Sequence, residues 1–180
     1  MPIEPTGVAN DRLLGSIAVD KDLRRLLDIE EIKQLKYRYC HYNDGGWPDQ
    51  PVSHVGPAHE LFTEDGVWDG RPVAIAVGRA QLRQLFDALA DLPMVYHAVT
   101  NPLIEINGDE ATAHWHLLAG GINLNDRSTM SLHCYHDEYV RTPEGWRIKL
   151  MRVIWGHEVT TPEGWKQLMP EVLEPGASPS

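Results

Sequence analysis

The sequence predicts an α+β fold: a cone-like curved antiparallel sheet wrapped around an N-terminal helix and further helices, an α+β barrel. Three observations carry that expectation. Residues 28–44 repeat apolar side chains at helical spacing and stop at Gly45-Gly46. From Met94 the apolar period changes to two and holds through long runs. Asn107-Gly108-Asp109 is a strong hairpin signal between the first two of those runs. A run of helices followed by a strand meander packs as helices on one sheet face.

The organising helix starts, on sequence, at Asp28, an N-cap candidate whose capping box is completed by Glu31. Ile29, Ile32, Leu35 and Tyr39 form its apolar stripe, and Lys33, Lys36 and Arg38 are expected to keep the other side wet. Leu23, Leu26 and Leu27 make the preceding stretch helical too, running into Asp28 or kinking before it. Residues 1–20 read as an arm with one helical turn at 12–17, and 159–180 as a tail, mobile from Pro170 on, which leaves 21–158 as the domain.

After the helix, residues 45–57 form a Gly/Pro-rich loop, either a lid or a solvated insertion. His59 to Phe62 reads as a short helix, 63–66 as a turn, and Val67-Trp68 as the opening of a strand with a partner in 71–77. A second amphipathic helix follows Gly78-Arg79, with Leu82, Leu85, Phe86 and Leu89 on one face, and ends at Pro93. The four long strands are 95–106, broken at Asn101-Pro102, then 111–119, 129–141 and 146–157.

The bulk numbers narrow function. The 180 residues suit one domain, and a net charge of −10 argues against a nucleic-acid partner, which needs a basic face. No apolar run of about 18 residues marks a membrane span, and the N-terminus shows no signal peptide, so cytoplasm is the expected location. Cys40 and Cys134 are too few for a disulfide framework. With no Walker sequence, no GxGxxG and no CxxC, nucleotide or thiol chemistry has no support, and no cofactor is expected.

Several side chains have chemistry to offer. Tyr39 is either a core aromatic or a phenol delivered to the interior, and Asp44 either a helix-end turn residue or a buried carboxylate. His97 lies in an otherwise apolar strand, where an imidazole either packs or serves as a base. A carboxylate from the facing helix would fix its tautomer and stabilise its charged form. His114-Trp115-His116 puts two imidazoles on one strand face, a metal pair with Glu138 and His157 or simply a solvated pair; no metal is expected. Ala111, Ala113, Trp115 and Leu117 then line core or cavity. His133, Tyr135, Asp137 and Tyr139 share a face that suits a lined cavity or a subunit contact. Arg141 and Arg152 meet an anionic ligand group or are surface charge.

The order of elements, with residues 32–39 and Asp44, residues 61–68, Gly78-Arg79, residues 97–102, Asn107-Gly108-Asp109, residues 137–141 and Gly145-Trp146, resembles the SnoaL-like branch of the nuclear-transport-factor-2-like superfamily. The match runs from Leu27 to His157. The helix is most similar to that of bile acid dehydratases, and scytalone dehydratase and hexachlorocyclohexane dehydrochlorinase share the Asp and the His. The resemblance implies a cone-shaped fold, an Asp44–His97 catalytic dyad, and Tyr39 as a polarising or acid group. Tyr135 falls near a further functional tyrosine of the bile acid dehydratases, and Trp68 stands near where they carry another. Tyr135, Trp68, Trp115 and Arg141 are the expected substrate-binding set. The activity so implied is a cofactor-independent lyase on a small hydrophobic cyclic or aromatic substrate, releasing water, halide or formaldehyde. The alternatives are an isomerase or polyketide cyclase on a ketone, or a non-catalytic ligand-binding module or dioxygenase small subunit. A homo-oligomer, trimer or dimer, is expected through the sheet face bearing His114 and His116.

Overall fold

A computed structural model describes residues 8–161 apart from 55, 124 and 126. The residues expected as the mobile tail from Pro170 lie outside the described residues. Helix α1 (Val8–Asn43) is followed by a short 3-10 turn (Ala58–Leu61), then β1 (Phe62–Gly70), β2 (Ala74–Val77), α2 (Arg79–Leu89), β3 (Met94–Asn107), β4 (Glu110–Ile122), β5 (Ser128–Thr142) and β6 (Gly145–Thr161). They build one curved, unclosed six-stranded sheet in the order β2-β1-β6-β5-β4-β3. The fold is the cone-like α+β architecture that the sequence predicts.

The meander from β3 to β6 is antiparallel, with hairpins closing at Asn107↔Glu110 and Thr142↔Gly145. Gly108 and Gly145 take the left-handed conformation those turns require, at φ 64 and 100°. One pairing departs from an all-antiparallel sheet: β1 lies parallel to β6. The chain between them contains α2 and four strands, long enough to bring β6 back in the same direction. The residues expected as a turn at 63–66 sit inside β1, where its register against β6 shifts. The break expected at Asn101-Pro102 is a bulge within β3, with Asn101 at φ 52°.

Helix α1 does not begin at Asp28. It runs unbroken through that residue, so the boundary expected at residue 20 falls inside α1 and the one at 158 inside β6. Nothing between Asp20 and Asp28 breaks a helix, and the capping box competes with a stronger, long-range partner. Asp28 accepts two hydrogen bonds from the Arg141 guanidinium, each at 2.7 Å. Leu23, Leu26 and Leu27 are exposed, whereas Ile32, Leu35 and Tyr39 are buried. The sheet therefore covers only the C-terminal part of α1. There the helix packs with Phe62, Phe86, Trp115, Tyr135, Ile148 and Met151 in one core. Each such buried side chain contributes about 1.5–3 kcal/mol relative to exposure.

One side chain expected on the wet side of α1 is in that core. Lys36 is 0% exposed and its Nζ lies 2.9 Å from Asp137, also 0% exposed, on β5. On β4, Ala111, Ala113, Trp115 and Leu117 point inward while His114 and His116 point outward, as the parity of the strand dictates.

Candidate active site

Asp44 follows the last residue of α1 and extends it by one bond, its N–H donating to the Cys40 carbonyl at 2.8 Å. The next residue, Gly45, pairs with Val95 of β3 through two backbone hydrogen bonds of 2.9 Å. A Cβ on Gly45 would stand 2.4 Å from the Val52 carbonyl oxygen, so only glycine admits this approach. The bridge fixes the end of α1 against β3, two residues before His97. The His97 Nδ1–H then donates to Asp44 Oδ1 at 2.5 Å, with side-chain exposures of 15% and 10%. With Nδ1 carrying that proton, Nε2 of the neutral ring keeps its lone pair. Gln50 Nε2 holds the Asp44 carbonyl from the loop side. The pair borders a pocket of about 310 Å³, walled by Tyr37, Cys40, Trp47 and Tyr96 as well.

Tyr39 lies one helical turn before Asp44, its ring centroid 6.3 Å from that of His97. Its hydroxyl accepts a hydrogen bond from Trp68 Nε1 at 3.1 Å, and its ring stands edge-on to that of Tyr135, with centroids 6.4 Å apart. Burial pushes the Tyr39 and Tyr135 hydroxyls well above the ordinary phenol range, so both stay protonated. Trp68 and Tyr135 thus converge with Tyr39. Beneath them Lys36 sits 3.3 Å from the centre of the Tyr135 ring, and Asp137 also accepts from the Tyr139 hydroxyl at 2.8 Å. Burial lowers the Lys36 pKa and raises that of Asp137, each opposed by the other's charge. The signal for Lys36 was present in its spacing, since positions 32, 35, 36 and 39 share one helical face.

Two members of the expected substrate-binding set stand elsewhere. Arg141 forms ion pairs with Asp28 and Asp109 and covers the Trp146 ring at 4.4 Å. It lies at the hairpin end of β5, four residues beyond Asp137, so its fork is spent on protein carboxylates instead of a ligand anion. Trp115 is buried in the core edge-on to Tyr37. Arg152 pairs with Asp69 at 3.2 Å. Among the described residues no group of three or more His, Cys, Asp or Glu side chains converges on a point where a metal would sit. The His114 ring lies against that of His136, tilted by 49° with centroids 4.1 Å apart, and His116 meets Asn101, both on the outward face.

A curved, unclosed sheet packed on an N-terminal helix is the architecture of the nuclear-transport-factor-2-like proteins. Within that superfamily the chain belongs to the SnoaL-like family, whose domain matches residues 24–152. Its fold is similar to that of hexachlorocyclohexane dehydrochlorinase LinA-type3 from Novosphingobium barchaimii, with a TM-score of 0.70 at 17% identity over 83% of this chain and 99% of that one. It is also similar to an NTF2-like protein from Novosphingobium aromaticivorans, with a TM-score of 0.64 at 27% identity over 76% and 87% of the two chains. Among sequences, an uncharacterised protein of Mycobacterium tuberculosis is 32% identical over 93 residues, or 49% of this chain and 63% of that protein. The chain therefore spans under two thirds of the curated relatives it matches. The fold is one that enzymes converting small molecules use. No helix among the described residues is long and apolar enough to cross a membrane.

Proposed function

We propose that the protein is a cofactor-independent lyase acting on a small, largely hydrophobic cyclic or aromatic molecule, with elimination of water as the leading reaction and loss of halide or formaldehyde as its mechanistic neighbours. The observation that carries this reading is the Asp44–His97 hydrogen bond beside a pocket. His97 Nε2 takes a proton from carbon, and the C–H electron pair becomes the new C=C bond. The C–O bond breaks with its electrons, and the departing hydroxyl gains a proton as water. Asp44 holds the imidazole in the reactive tautomer and stabilises the imidazolium once it forms. Tyr39 already accepts from Trp68, so its own proton is left to donate to a carbonyl or to the departing oxygen. An oriented base of this kind contributes about 10²–10⁴-fold, and positioning in a water-poor cleft adds to it.

The test is turnover of a panel of cyclic hydroxy-ketones and halides by the wild type and by His97→Ala. The expected result is a loss of about 10²–10⁴-fold with an unchanged melting temperature. Wild-type rates in His97→Ala would sink the dyad. An Asp44→Asn variant far more damaged than His97→Ala would instead indicate an isomerase or cyclase with the carboxylate as base. The assembly that accompanies this reading is a homo-oligomer through the outward sheet face of His114 and His116. Exposed Leu118 and Leu132, directly opposite each other on β4 and β5, favour burial of that face.

A further inference from the structure

Strand β3 is an end strand of the sheet, and β4 pairs with only one of its two edges. In an antiparallel ladder alternate residues turn both backbone groups to the same side. Two observations fix which residues of β3 face the other edge. Val95 exchanges two hydrogen bonds of 2.9 Å with Gly45 there, so His97 and Val99, of the same parity, face that edge too. The hairpin gives the same answer from the opposite end. Asn107↔Glu110 closes a two-residue turn as a hydrogen-bonded pair, and that parity runs along β4 through Leu103↔His114 and, past the bulge, Thr100↔His116 and Ala98↔Leu118. Ala98 and Thr100 therefore bond to β4. Among the described residues, the backbone N–H and C=O groups of His97 and Val99 have no backbone partner on the free edge.

The pocket beside the reacting pair is the gap along this edge. One wall is the end of α1, with Tyr37, Cys40, His41 and Asp44, and the other is residues 96–99 of β3. The Gly45–Val95 bridge ties the two walls together at one end, and Val99 is the free position farther from that tie. Its side chain lies on the same strand face as that of His97, two residues away. A backbone N–H without a partner is a strong donor waiting for an acceptor, and one fixed in a strand costs no reorganisation to use.

We propose that the Val99 N–H on the open edge of β3 is a carbonyl-binding group of this site, so the substrate is a carbonyl compound with its leaving group on the β carbon. The inference rests on the reading of Asp44–His97 as the reacting pair. A carbonyl next to the C–H bond makes that proton removable. As His97 Nε2 takes it, the C–H electron pair moves onto the carbonyl oxygen, where the Val99 N–H meets the developing charge. The pair then returns to form the C=C bond and expels the β hydroxyl, whose gain of one proton as water balances the proton taken by His97. With the carbonyl held by the strand, the Tyr39 proton goes to the departing oxygen. The His97 carbonyl on the same edge is an acceptor suited to a hydroxyl of the same molecule.

The test is a binding measurement that needs no turnover. The probes are 1-indanone, which has the carbonyl and the adjacent C–H but no leaving group, and indane, which lacks the oxygen. In the ligand-free protein the Val99 amide proton is expected to exchange faster than those of Ala98 and Thr100, which the ladder protects. On saturation with 1-indanone it should move downfield, and with indane it should not. The ketone should bind about tenfold tighter, the worth of one hydrogen bond. Val99→Pro deletes the N–H without touching the β4 ladder, as an edge position permits, and should bring the ratio to about one, whereas Val99→Ala keeps the N–H and the ratio. If Val99→Pro does not fold, the amide shift in the wild type decides. A Val99 amide as protected as that of Ala98, no shift with 1-indanone, no binding of 1-indanone, or an unchanged ratio in Val99→Pro overturns the proposal. The two readings fail separately. A Val99 response to the ketone in a protein whose His97→Ala variant keeps full turnover leaves a carbonyl site without this base. Turnover lost in His97→Ala, with Val99 indifferent to the ketone, leaves the dyad without this contact.

Discussion

The covered part of α1 presents a carboxylate to the sheet at each end, and the two do different things. Asp28 meets Arg141, whose two terminal nitrogens reach both carboxylate oxygens at 2.7 Å, and Trp146 Nε1 adds a third donor at 3.3 Å. Asp44 meets His97 through one oxygen and one nitrogen. Arginine stays charged at every working pH and its planar fork saturates the carboxylate, which makes the Asp28 end a clasp. Imidazole has a second nitrogen left over, and the proposed reaction uses it at the Asp44 end. A buried carboxylate at a helix end is thus not chemical in itself; the partner on the facing strand decides. Lys36–Asp137, between the two, belongs with the clasp: both groups are sealed from solvent, and neither borders the pocket beside His97.

That contrast is broken most forcefully in the middle. Lys36→Met leaves Asp137 buried without its counter-charge and is expected to cost about 3–5 kcal/mol in urea unfolding. The double change Lys36→Met with Asp137→Leu removes both charges and is expected to recover most of that loss. A single variant as stable as the wild type would mean that the pair is not the internal brace described here.

At the two ends the effects should separate. Asp28→Asn weakens a charged fork that is only partly shielded and is expected to cost about 2–3 kcal/mol while leaving the rate of any active preparation unchanged. Asp44→Asn should change stability by no more than about 1 kcal/mol, since one hydrogen bond can persist, yet lose turnover because the imidazolium is no longer stabilised. Denaturant midpoints and rates for both variants check this. A stability loss at Asp44 equal to that at Asp28, with activity retained, would make the two ends alike.

Much of this was legible before any coordinates. The helical stripe, the Asn107-Gly108-Asp109 hairpin and the parity of β4 are local patterns, and local patterns survive folding. The helix stop and a histidine in an apolar strand left the meeting of Asp44 with His97 open, and the family resemblance implied it. What was hidden was long-range or contradicted residue type. Asp28 has the local chemistry of a cap, but Arg141, distant in sequence, claims it inside a continuous helix. Lys36 occupies an apolar-face position, and its charge misdirected a reading that its spacing would have corrected. The parallel β1–β6 pairing has no local signature at all. His54 lies in a loop whose fixed shape comes from the carbonyls of Tyr42, Asn43 and Leu92, none of which a sequence displays.

The smallest effect separates the same two ends by pH. Asp28 has its pKa held below the ordinary carboxyl value by Arg141, so it binds fewer protons folded than unfolded. Its stabilisation is complete above the unfolded value of about 3.9 and is lost only as pH falls further, through the folded value. His54, whose N–H is held by the carbonyl of Asn43 at the Asp44 end of α1, acts in a higher window. Unfolded, it takes up a proton near 6.5; folded, burial and His97 hold it neutral down to about 4. Between those values the unfolded chain binds more protons, so stability falls as pH is lowered from about 6.5 to about 4 and the contribution is flat below. Melting temperatures across that range should decline in the wild type, and His54→Asn should flatten the decline while leaving the steeper loss below it untouched. Asp28→Asn should do the reverse, and identical pH profiles for the two variants would show that the windows do not belong to these residues.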